Sequence, residues 1–228
     1  MKSARCANFV CESRCFRRGF KLVIGVDEAG RGPLAGPVMA AAVAVVLPTN
    51  RCDFAGLLGT VRDSKEMAAA AREAVYRRII CHKNLVCASS AVGEKIIDKI
   101  NILEASKLAM RRAVKRAIAQ MKDKISAGKI VCLIDGNFSI EIPYEQKSII
   151  GGDAKIFCIA AASIAAKVRR DRLMEKIGKL YPEYGFARHK GYGTKEHLAA
   201  IEKHGLCSVH RRTFAPCASA ARKGIMKK

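Results

Sequence analysis

The chain has 228 residues, half of them hydrophobic, which is enough for one α/β domain with a sizeable core. Lys and Arg total 42 against 20 Asp and Glu, and the resulting formal charge of +22 predicts a polyanionic partner, although a generally basic proteome would give the same balance. The longest apolar run, 38–47, is about half as long as a membrane span, and residues 1–5 lack the apolar core of a secretory signal. These features predict a cytoplasmic protein without a membrane partner.

The elements follow in chain order. Residues 1–20 carry five basic residues and one acid without periodicity, which predicts a flexible basic extension. A mixed α/β domain is expected over 21–216, and a flexible basic tail over 217–228. Runs rich in β-branched and small apolar residues predict strands at 21–26, 38–46, 85–92, 129–134 and 148–150. Helices are predicted at about 68–81, from 101 to about 121, at 154–176 and at 195–204.

Capping residues accompany three of these helices. Ser64 is a possible cap for the first helix, Asn101 with Glu104 resembles a capping box, and Thr194 precedes the last helix. The helix after Asn101 has a basic face at helical spacing, which is by default solvated and is also suited to nucleic acid. That face contains Lys107, Arg111, Arg112, Lys115 and Arg116.

The ten cysteines do not form a disulfide or zinc pattern. Cys132 and Cys158 lie inside apolar runs, where a thiol behaves as a small hydrophobic group. Cys6, Cys11 and Cys15 cluster near the start, but their spacing is not the two-residue spacing typical of structural zinc. Reduced thiols are therefore expected.

Carboxylates stand where apolar runs end. Asp27 and Glu28 follow the first strand, Asp135 ends the fourth, and Asp153 follows the fifth at a helix start. In open α/β sheets, sites form outside the carboxyl ends of the strands, so neighbouring first and fourth strands would bring these acids together. Crowded acids need a cation, and oxygen-only ligands suit Mg²⁺ or Mn²⁺. With a basic surface, the pattern favours two-metal phosphodiester cleavage, although a solvated strand end before a turn is the ordinary alternative for Asp27-Glu28.

The motif Asp27-Glu-Ala-Gly-Arg-Gly-Pro-Leu-Ala-Gly-Pro37 strongly resembles the signature of the type 2 ribonucleases H, the bacterial ribonuclease HII family. Further matches follow in the expected order over roughly residues 21–216. They include Asp63-Ser-Lys65, Asp135-Gly-Asn137, Gly152-Asp-Ala-Lys155, Arg170-Asp171, His189-Lys-Gly-Tyr-Gly-Thr194 and His210-Arg-Arg-Thr-Phe214.

The resemblance implies a ribonuclease H-like fold, a central mixed five-stranded sheet flanked by helices. It implies an endonuclease that cuts the RNA strand of RNA/DNA hybrids and single ribonucleotides in duplex DNA, leaving 3′-hydroxyl and 5′-phosphate ends. Two Mg²⁺ or Mn²⁺ ions would be held by the family's four acids, which match Asp27, Glu28, Asp135 and Asp153. A monomer is expected, and the tail lacks a sliding-clamp motif, so no protein partner is indicated.

The resemblance also implies substrate contacts. Gly30, Arg31 and Gly32 match the loop that contacts the ribose 2′-OH, and Tyr192 matches the tyrosine that packs on the next sugar. A tight glycine turn and a half-buried loop tyrosine are the structural alternatives. Lys65 is a candidate for contact with a phosphate, and Ser163 and Lys167 are candidates for supporting the site or binding the nucleic-acid backbone. His189 and His210 are candidates for contacts with the substrate or with loops. Each of these residues also has a purely structural alternative. Asp171 is expected to form a structural ion pair with nearby arginines.

Two other functions compete. A type 3 ribonuclease H would share the fold and acids, but it needs an additional N-terminal domain for which 20 residues are too few. A non-catalytic nucleic-acid-binding protein would explain the charge, but it would leave the acids at the strand ends unexplained.

Overall fold

The structure is a computed structural model that describes residues 7–46, 54–61, 64, 66–121, 129–222 and 224. The strands are β1 Phe20–Ala29, β2 Val38–Val46, β3 Leu85–Val92, β4 Lys129–Asp135 and β5 Glu145–Ile149. The helices are α1 Val10–Arg17, α2 Ala55–Leu58, α3 Ala69–Ile80, α4 Glu94–Ala119, α5 Phe157–Leu180, α6 Phe186–His189, α7 Lys195–His204 and α8 Ala215–Arg222. Short 3₁₀ turns occupy Gly152–Ala154 and Pro182–Tyr184.

The five strands form one mixed sheet in the order β3-β2-β1-β4-β5, with β1 at its centre. The pairs β3-β2 and β2-β1 are antiparallel, whereas β1, β4 and β5 run parallel. Val26 lies opposite Ile134, so β1 and β4 end side by side at the same edge. The predicted mixed five-stranded α/β fold is therefore confirmed, and its parallel half delivers the ends of two strands to one place.

Alternation along β1 divides the core into two layers. Val23 faces the layer that contains α5, with α1 and α3 packed around it. Leu22, Ile24 and Val26 face the layer that contains α4. Gly25 permits the closest approach, because a Cβ atom at this position would lie 2.1 Å from the backbone carbon of Cys158 in α5. The glycine in this strand therefore lets α5 lie directly on the sheet.

Two predicted caps are confirmed and one is wrong. The Asn101 side chain accepts hydrogen bonds from the backbone N–H groups of Leu103 and Glu104, at the point where two helical segments of α4 meet. Thr194 accepts a hydrogen bond from the backbone N–H of His197. Ser64 caps no helix, because α3 begins after Ala68 and the Ser64 hydroxyl contacts Ser163 instead.

The terminal segments differ from the sequence-based expectation. Residues 10–17, predicted to be a flexible extension, form α1, whose Cys15 is buried and whose Glu12 has no exposed surface. Cys217 and Ala220, predicted to lie in a flexible tail, are buried residues of α8. In both cases a short helix is stabilised by apolar contacts with distant parts of the chain, which local composition does not reveal.

Smaller differences concern the ends of elements. The first strand extends through Asp27 and Glu28 to Ala29, β5 lies at 145–149 instead of 148–150, and α5 begins at Phe157 after the 3₁₀ turn. No helix in the described ranges is both long enough and apolar enough to cross a bilayer. Every cysteine in the described ranges is a free thiol.

Candidate active site

Asp27 lies on the α5 face of β1, where only 5% of its surface is exposed. Its Oδ1 accepts a hydrogen bond of 2.7 Å from the backbone N–H of Glu28. The Ser163 hydroxyl donates a second hydrogen bond to the carboxylate. Burial raises the pKa of Asp27 well above its usual value, and the negative charges of Glu28 and Asp135 raise it further. The ionised form of this side chain is therefore short of positive charge.

Asp135 and Asp153 complete a cluster with Asp27. Asp135 is the last residue of β4, and its Oδ1 accepts a hydrogen bond of 2.7 Å from the backbone N–H of Gly152. This bond holds the 3₁₀ turn that carries the buried Asp153 against the end of β4. One carboxylate oxygen from each of the three acids lies within 4.8 Å of the others. The convergence predicted for these three residues is thus observed.

Glu28 lies beside this cluster but is not one of its three members. Strand alternation turns its side chain away from the α5 face, and its Oε1 accepts a hydrogen bond of 3.3 Å from Arg31 Nη1. Its Oε2 is buried and has no hydrogen-bond partner. Burial raises the pKa of Glu28, Arg31 lowers it and Asp135 raises it. Glu28 therefore presents an unsatisfied buried oxygen close to Asp135.

The donor set fits a hard divalent cation. All the converging ligand atoms are carboxylate oxygens, which suit Mg²⁺ and Mn²⁺ better than zinc. The orphaned Glu28 Oε2 and the raised pKa of Asp27 both mark a need for positive charge. Within the ranges that the structure describes, this is the one such cluster of acid, histidine or cysteine ligands.

The loop 30–32 follows β1 directly, and Arg211 holds it from behind. The guanidinium of Arg211 donates hydrogen bonds to three backbone carbonyl groups, those of Gly30 at 2.6 Å, Arg31 at 2.8 Å and Gly36 at 2.9 Å. With its carbonyl groups drawn inwards, the loop keeps its outer face available for a ligand. Burial and, to a smaller extent, the charge of Arg170 together lower the pKa of Arg211 to about 9.

Arg170 of α5 is the second buried guanidinium behind this loop. It donates hydrogen bonds to the carbonyl groups of Pro37 at 3.0 Å, Lys190 at 3.0 Å and Ala35 at 3.2 Å. Gly30 has a φ of +93°, and a Cβ atom there would lie 1.9 Å from Arg170 Nε. Only glycine allows both the backbone conformation and the close approach of the guanidinium.

Tyr192 lies next to the glycine loop. Its side chain is 45% exposed, and a Cβ atom added to Gly32 would lie 3.8 Å from the ring. The backbone N–H of Leu34 donates a hydrogen bond of 2.8 Å to the carbonyl of Gly191, which ties the two loops together. The structure therefore places the loop 30–32 and the Tyr192 ring together, as the predicted substrate surface requires.

The remaining candidates have mixed outcomes. Ser163 is buried, its Oγ lies 2.9 Å from Ser64 Oγ and it also bonds Asp27, which agrees with the predicted support of the site, while its contact with substrate stays a prediction. Asp171 forms a structural ion pair as predicted, but its partners are Lys167 at 2.8 Å and Arg72 at 3.6 Å and not the arginines beside it in the sequence. Lys65 lies outside the described residues.

Three residues that bind backbone carbonyl groups of the loops at the site were not identified from the sequence. Arg170 and Arg211 were noticed only as parts of motifs, and His197 was not noticed at all. Arg170 stands in the charged run Arg169-Arg-Asp-Arg172, after the apolar stretch of α5, so nothing in the local sequence distinguishes it from its exposed neighbours. For His197 the sequence offers no signal either, because a lone histidine in an amphipathic helix is ordinary.

The fold and the acidic cluster define the class of protein: an α/β protein with a carboxylate-lined cation site at the end of its central strands. The family model "Ribonuclease HII" matches residues 24–217. Ribonuclease HII of Endomicrobium trichonymphae is 46% identical over 209 residues, covering 91% of this chain and 92% of that relative. Ribonuclease HII of Enterococcus faecalis is 45% identical over 206 residues, covering 90% of this chain and 74% of that relative.

Solved structures agree on the fold. Ribonuclease H2 from Pyrococcus horikoshii superposes with a TM-score of 0.65 at 24% identity, covering 89% of this chain and 98% of that one. Bst-RNase HIII in complex with Mn²⁺ superposes with a TM-score of 0.68 at 17% identity, covering 92% of this chain and 72% of that one. RNase HII of Archaeoglobus fulgidus, solved in complex with PCNA, superposes with a TM-score of 0.64 at 21% identity, covering 85% of this chain and 95% of that one.

The chain belongs to the ribonuclease HII family. It is accordingly a metal-dependent ribonuclease H that cleaves the RNA strand of RNA/DNA hybrids. The type 3 and non-catalytic alternatives are set aside by the family model and by the relatives.

Proposed function

We propose that this protein also cuts at single ribonucleotides embedded in duplex DNA, through two divalent cations held by Asp27, Glu28, Asp135 and Asp153. The observation that carries the proposal is the position of the three-acid cluster beside the loop 30–32 and Tyr192. One surface thus combines a cation site with groups suited to recognising a single ribose. The expected products carry 3′-hydroxyl and 5′-phosphate ends.

The acids divide into a buried cluster and a flanking carboxylate. Asp27, Asp135 and Asp153 converge within 4.8 Å, and Glu28 offers Oε2 beside them. Mg²⁺ or Mn²⁺ bound there supplies a lowered pKa for the attacking water and positive charge for the leaving 3′ oxygen. The hydrogen bonds from Ser163 and Gly152 hold Asp27 and Asp135 in position before any cation binds.

The loop and the tyrosine would select the nucleotide. Arg211 binds the carbonyl groups of Gly30 and Arg31 from behind, and the remaining backbone groups of the loop 30–32 are suited to hydrogen bonding with a ribose 2′-OH, the group that distinguishes RNA from DNA. The half-exposed Tyr192 ring would pack on the following sugar. The formal charge of +22 would hold the duplex through its phosphates.

The test compares three duplexes of one sequence: one with a single ribonucleotide, one with an all-RNA strand, and one of DNA only. Cleavage is measured in Mg²⁺ and in Mn²⁺ for the wild type, Tyr192→Ala and Tyr192→Phe. Cleavage at the single ribonucleotide should fall about 10- to 100-fold for Tyr192→Ala, because loss of substrate positioning costs this much, and much less for Tyr192→Phe, which keeps the ring.

Tyr144→Ala is the matched control. Tyr144 immediately precedes β5, at the opposite edge of the sheet from the acids. A wild-type protein that cuts only the all-RNA strand would contradict the proposal, and equal effects of the two alanine variants would remove Tyr192 from the substrate surface.

Oligomeric state and location are proposed as predicted, a monomer in the cytoplasm. The monomer is tested by light scattering at assay concentration, where a stable dimer would contradict it. The A. fulgidus protein was solved with PCNA, so a sliding clamp is the protein partner to include in a binding assay with this chain.

A further inference from the structure

A buried histidine pair lies behind Tyr192, away from the acid cluster. His197 of α7 and His210 have 0% and 2% of their surface exposed, and their Nε2 atoms lie 3.1 Å apart. His197 Nδ1 lies 2.9 Å from the carbonyl oxygen of Tyr192. His210 Nδ1 lies 3.0 Å from the backbone nitrogen of Cys207. The two rings thus connect the Tyr192 loop to the segment around Cys207.

The contacts determine which nitrogen carries each proton. A carbonyl oxygen only accepts, so His197 must donate from Nδ1–H to Tyr192. His210 Nδ1 lies 3.0 Å from the backbone nitrogen of Cys207, which donates, and 3.3 Å from the Cys207 carbonyl oxygen, which accepts, so the contact between the two rings decides its tautomer. A neutral His197 that donates from Nδ1 has a bare Nε2, which must accept. His210 therefore carries its proton on Nε2 and donates it to the bare Nε2 of His197. With both rings neutral, the Nε2 atoms share one proton in a hydrogen bond, and His210 Nδ1 accepts from the N–H of Cys207, the shorter of its two backbone contacts.

The same segment also holds the glycine loop. Ala35 and His210 form an isolated antiparallel bridge, and the backbone N–H of Arg211 donates a hydrogen bond of 2.8 Å to the carbonyl of Leu34. The guanidinium of Arg211 then binds the carbonyl groups of Gly30 and Arg31. A continuous series of hydrogen bonds therefore runs from the backbone of Tyr192 through two histidines to the loop 30–32.

We propose that His197 is a positioning residue that, with His210, fixes the Tyr192 loop relative to the loop 30–32 through one chain of oriented hydrogen bonds. The inference rests on the proposed function, because it assigns His197 the task of holding the two surfaces that select the ribonucleotide. His197 contacts no substrate and is not a catalytic residue. Its effect on cleavage arises from the backbone of Tyr192.

The surroundings favour the neutral pair. His189 stacks on His197 at 4.7 Å between ring centroids, and Tyr184 and Phe186 contact His210 edge-on or tilted at 5.1 and 5.7 Å. Burial lowers the pKa values of His197 and His210 to about 4. The charged and titratable neighbours are His189 and Glu196 at His197, and Cys207 and Arg211 at His210. The charge of Glu196 and the backbone hydrogen bonds with Tyr192 and Gly191 raise the pKa of His197, and the backbone of Cys207 raises that of His210, but burial outweighs these effects.

The first experiment compares His197→Phe with His197→Asn. Phenylalanine keeps the ring volume without either hydrogen bond, whereas the asparagine amide can donate near the position of Nδ1. The measured quantity is the ratio of kcat/KM on the single-ribonucleotide duplex to that on the all-RNA hybrid. We expect His197→Phe to lower this ratio about 10-fold, in line with the cost of misplacing a positioning group, and His197→Asn to restore most of it.

A loss of folded protein lowers both rates equally and leaves the ratio unchanged. Val114→Ala is the control for that effect, since Val114 is buried in the α4 layer on the other side of the sheet. An unchanged ratio in His197→Phe, alongside a lowered ratio in Tyr192→Ala, overturns the proposal and leaves the proposed function standing. A wild-type protein that ignores the single ribonucleotide removes the proposed function and this inference together.

The second experiment measures the wild type itself. Histidine ¹⁵N–¹H correlation spectra at pH 7, assigned by comparison with His197→Phe and His210→Phe, should show His197 protonated on Nδ1 alone and His210 on Nε2 alone. Either ring in the opposite tautomer or as imidazolium overturns the proposal.

Discussion

The buried acids and the two buried arginines near the end of β1 are stabilised in opposite ways. On one side, carboxylates converge at the ends of β1 and β4, where they raise the pKa of Asp27. On the other side, Arg170 and Arg211 each donate three hydrogen bonds to backbone carbonyl groups. The acids are crowded by charges of their own sign, whereas the guanidiniums are surrounded by oxygen dipoles.

This difference separates a binding site from a scaffold. A guanidinium has enough N–H groups to bind several carbonyl oxygens, so the backbone alone can satisfy it. Clustered carboxylates cannot satisfy one another, and the compensating charge has to come from a ligand. The acids therefore form a cluster whose charge a bound cation would balance, and the arginines hold the loops beside it.

The largest expected effect tests the acid side. Asp27→Asn should reduce cleavage by about 1,000-fold or more, because a cation site that supplies several kcal/mol to the reaction loses a central ligand. Without divalent cations, the same variant should melt at a higher temperature than the wild type, since it removes one of the mutually repelling charges. Cleavage rates and thermal unfolding in chelator measure the two effects. Glu202→Gln, an exposed carboxylate-to-amide change, is the control, and a lower melting temperature in Asp27→Asn would contradict the account of repulsion.

The arginine side should behave in the reverse manner. Arg211→Met leaves three backbone carbonyl groups without their donor and should lower the free energy of unfolding by on the order of 3 kcal/mol. Affinity for Mn²⁺ should change little, because Arg211 contacts the loop and not the acids. Urea unfolding and calorimetric Mn²⁺ titration distinguish the two. Arg188→Met, a change at an exposed arginine paired with Glu196, should leave stability almost unaffected. A large loss of Mn²⁺ affinity in Arg211→Met would show that the two regions are not separate.

Lowering the pH should reduce the free energy of unfolding through His197 and His210. The pKa values of His197 and His210 are about 4 in the folded protein and about 6.5 unfolded, so between these values the unfolded chain binds more protons and stability falls as pH falls. Each histidine contributes a slope of up to about 1.4 kcal/mol per pH unit in that window.

The raised pKa of Asp27 works in the opposite direction, since protonation at low pH relieves its buried charge. The measurement is therefore the difference between wild type and His197→Asn in urea unfolding from pH 7 to pH 5, in chelator. The wild type should lose more stability over this range. Identical slopes would mean that His197 is not a buried neutral group.

Glu12 gives the smallest expected effect and is a third kind of buried charge, because a helix start binds one of its carboxylate oxygens while Oε2 is buried without a hydrogen-bond partner. Its Oε1 accepts a hydrogen bond of 2.8 Å from the backbone N–H of Cys158 in the first turn of α5, while burial raises its pKa. Glu12→Ala should lower stability by about 1–2 kcal/mol, as loss of a cap does, and Glu12→Gln should cost less because it keeps the accepting oxygen. Urea unfolding at pH 7 compares the two, and an equal loss would assign the effect to charge instead of capping.

Much of the fold was predictable from the sequence. The strands at 38–46 and 85–92 match observed elements, and the caps at Asn101 and Thr194 are made as expected. The convergence of Asp27, Asp135 and Asp153 was also predictable, because each acid directly follows or closely follows a strand and the carboxyl ends of parallel strands share an edge. These features depend on local hydrophobic pattern and on the pairing rules of parallel strands, both of which can be read from short stretches of chain.

Tertiary structure alone decided the rest. It folded α1 and α8 from segments that composition described as flexible, and it buried Arg170, Arg211 and His197 behind the loops that contain Gly30 and Tyr192. Each of these outcomes depends on partners many residues away, such as Glu12 with Cys158 or Arg211 with Gly30. A side chain's own neighbours in sequence do not specify such contacts, because the free energy that stabilises them comes from packing and hydrogen bonds that exist only after the chain has folded.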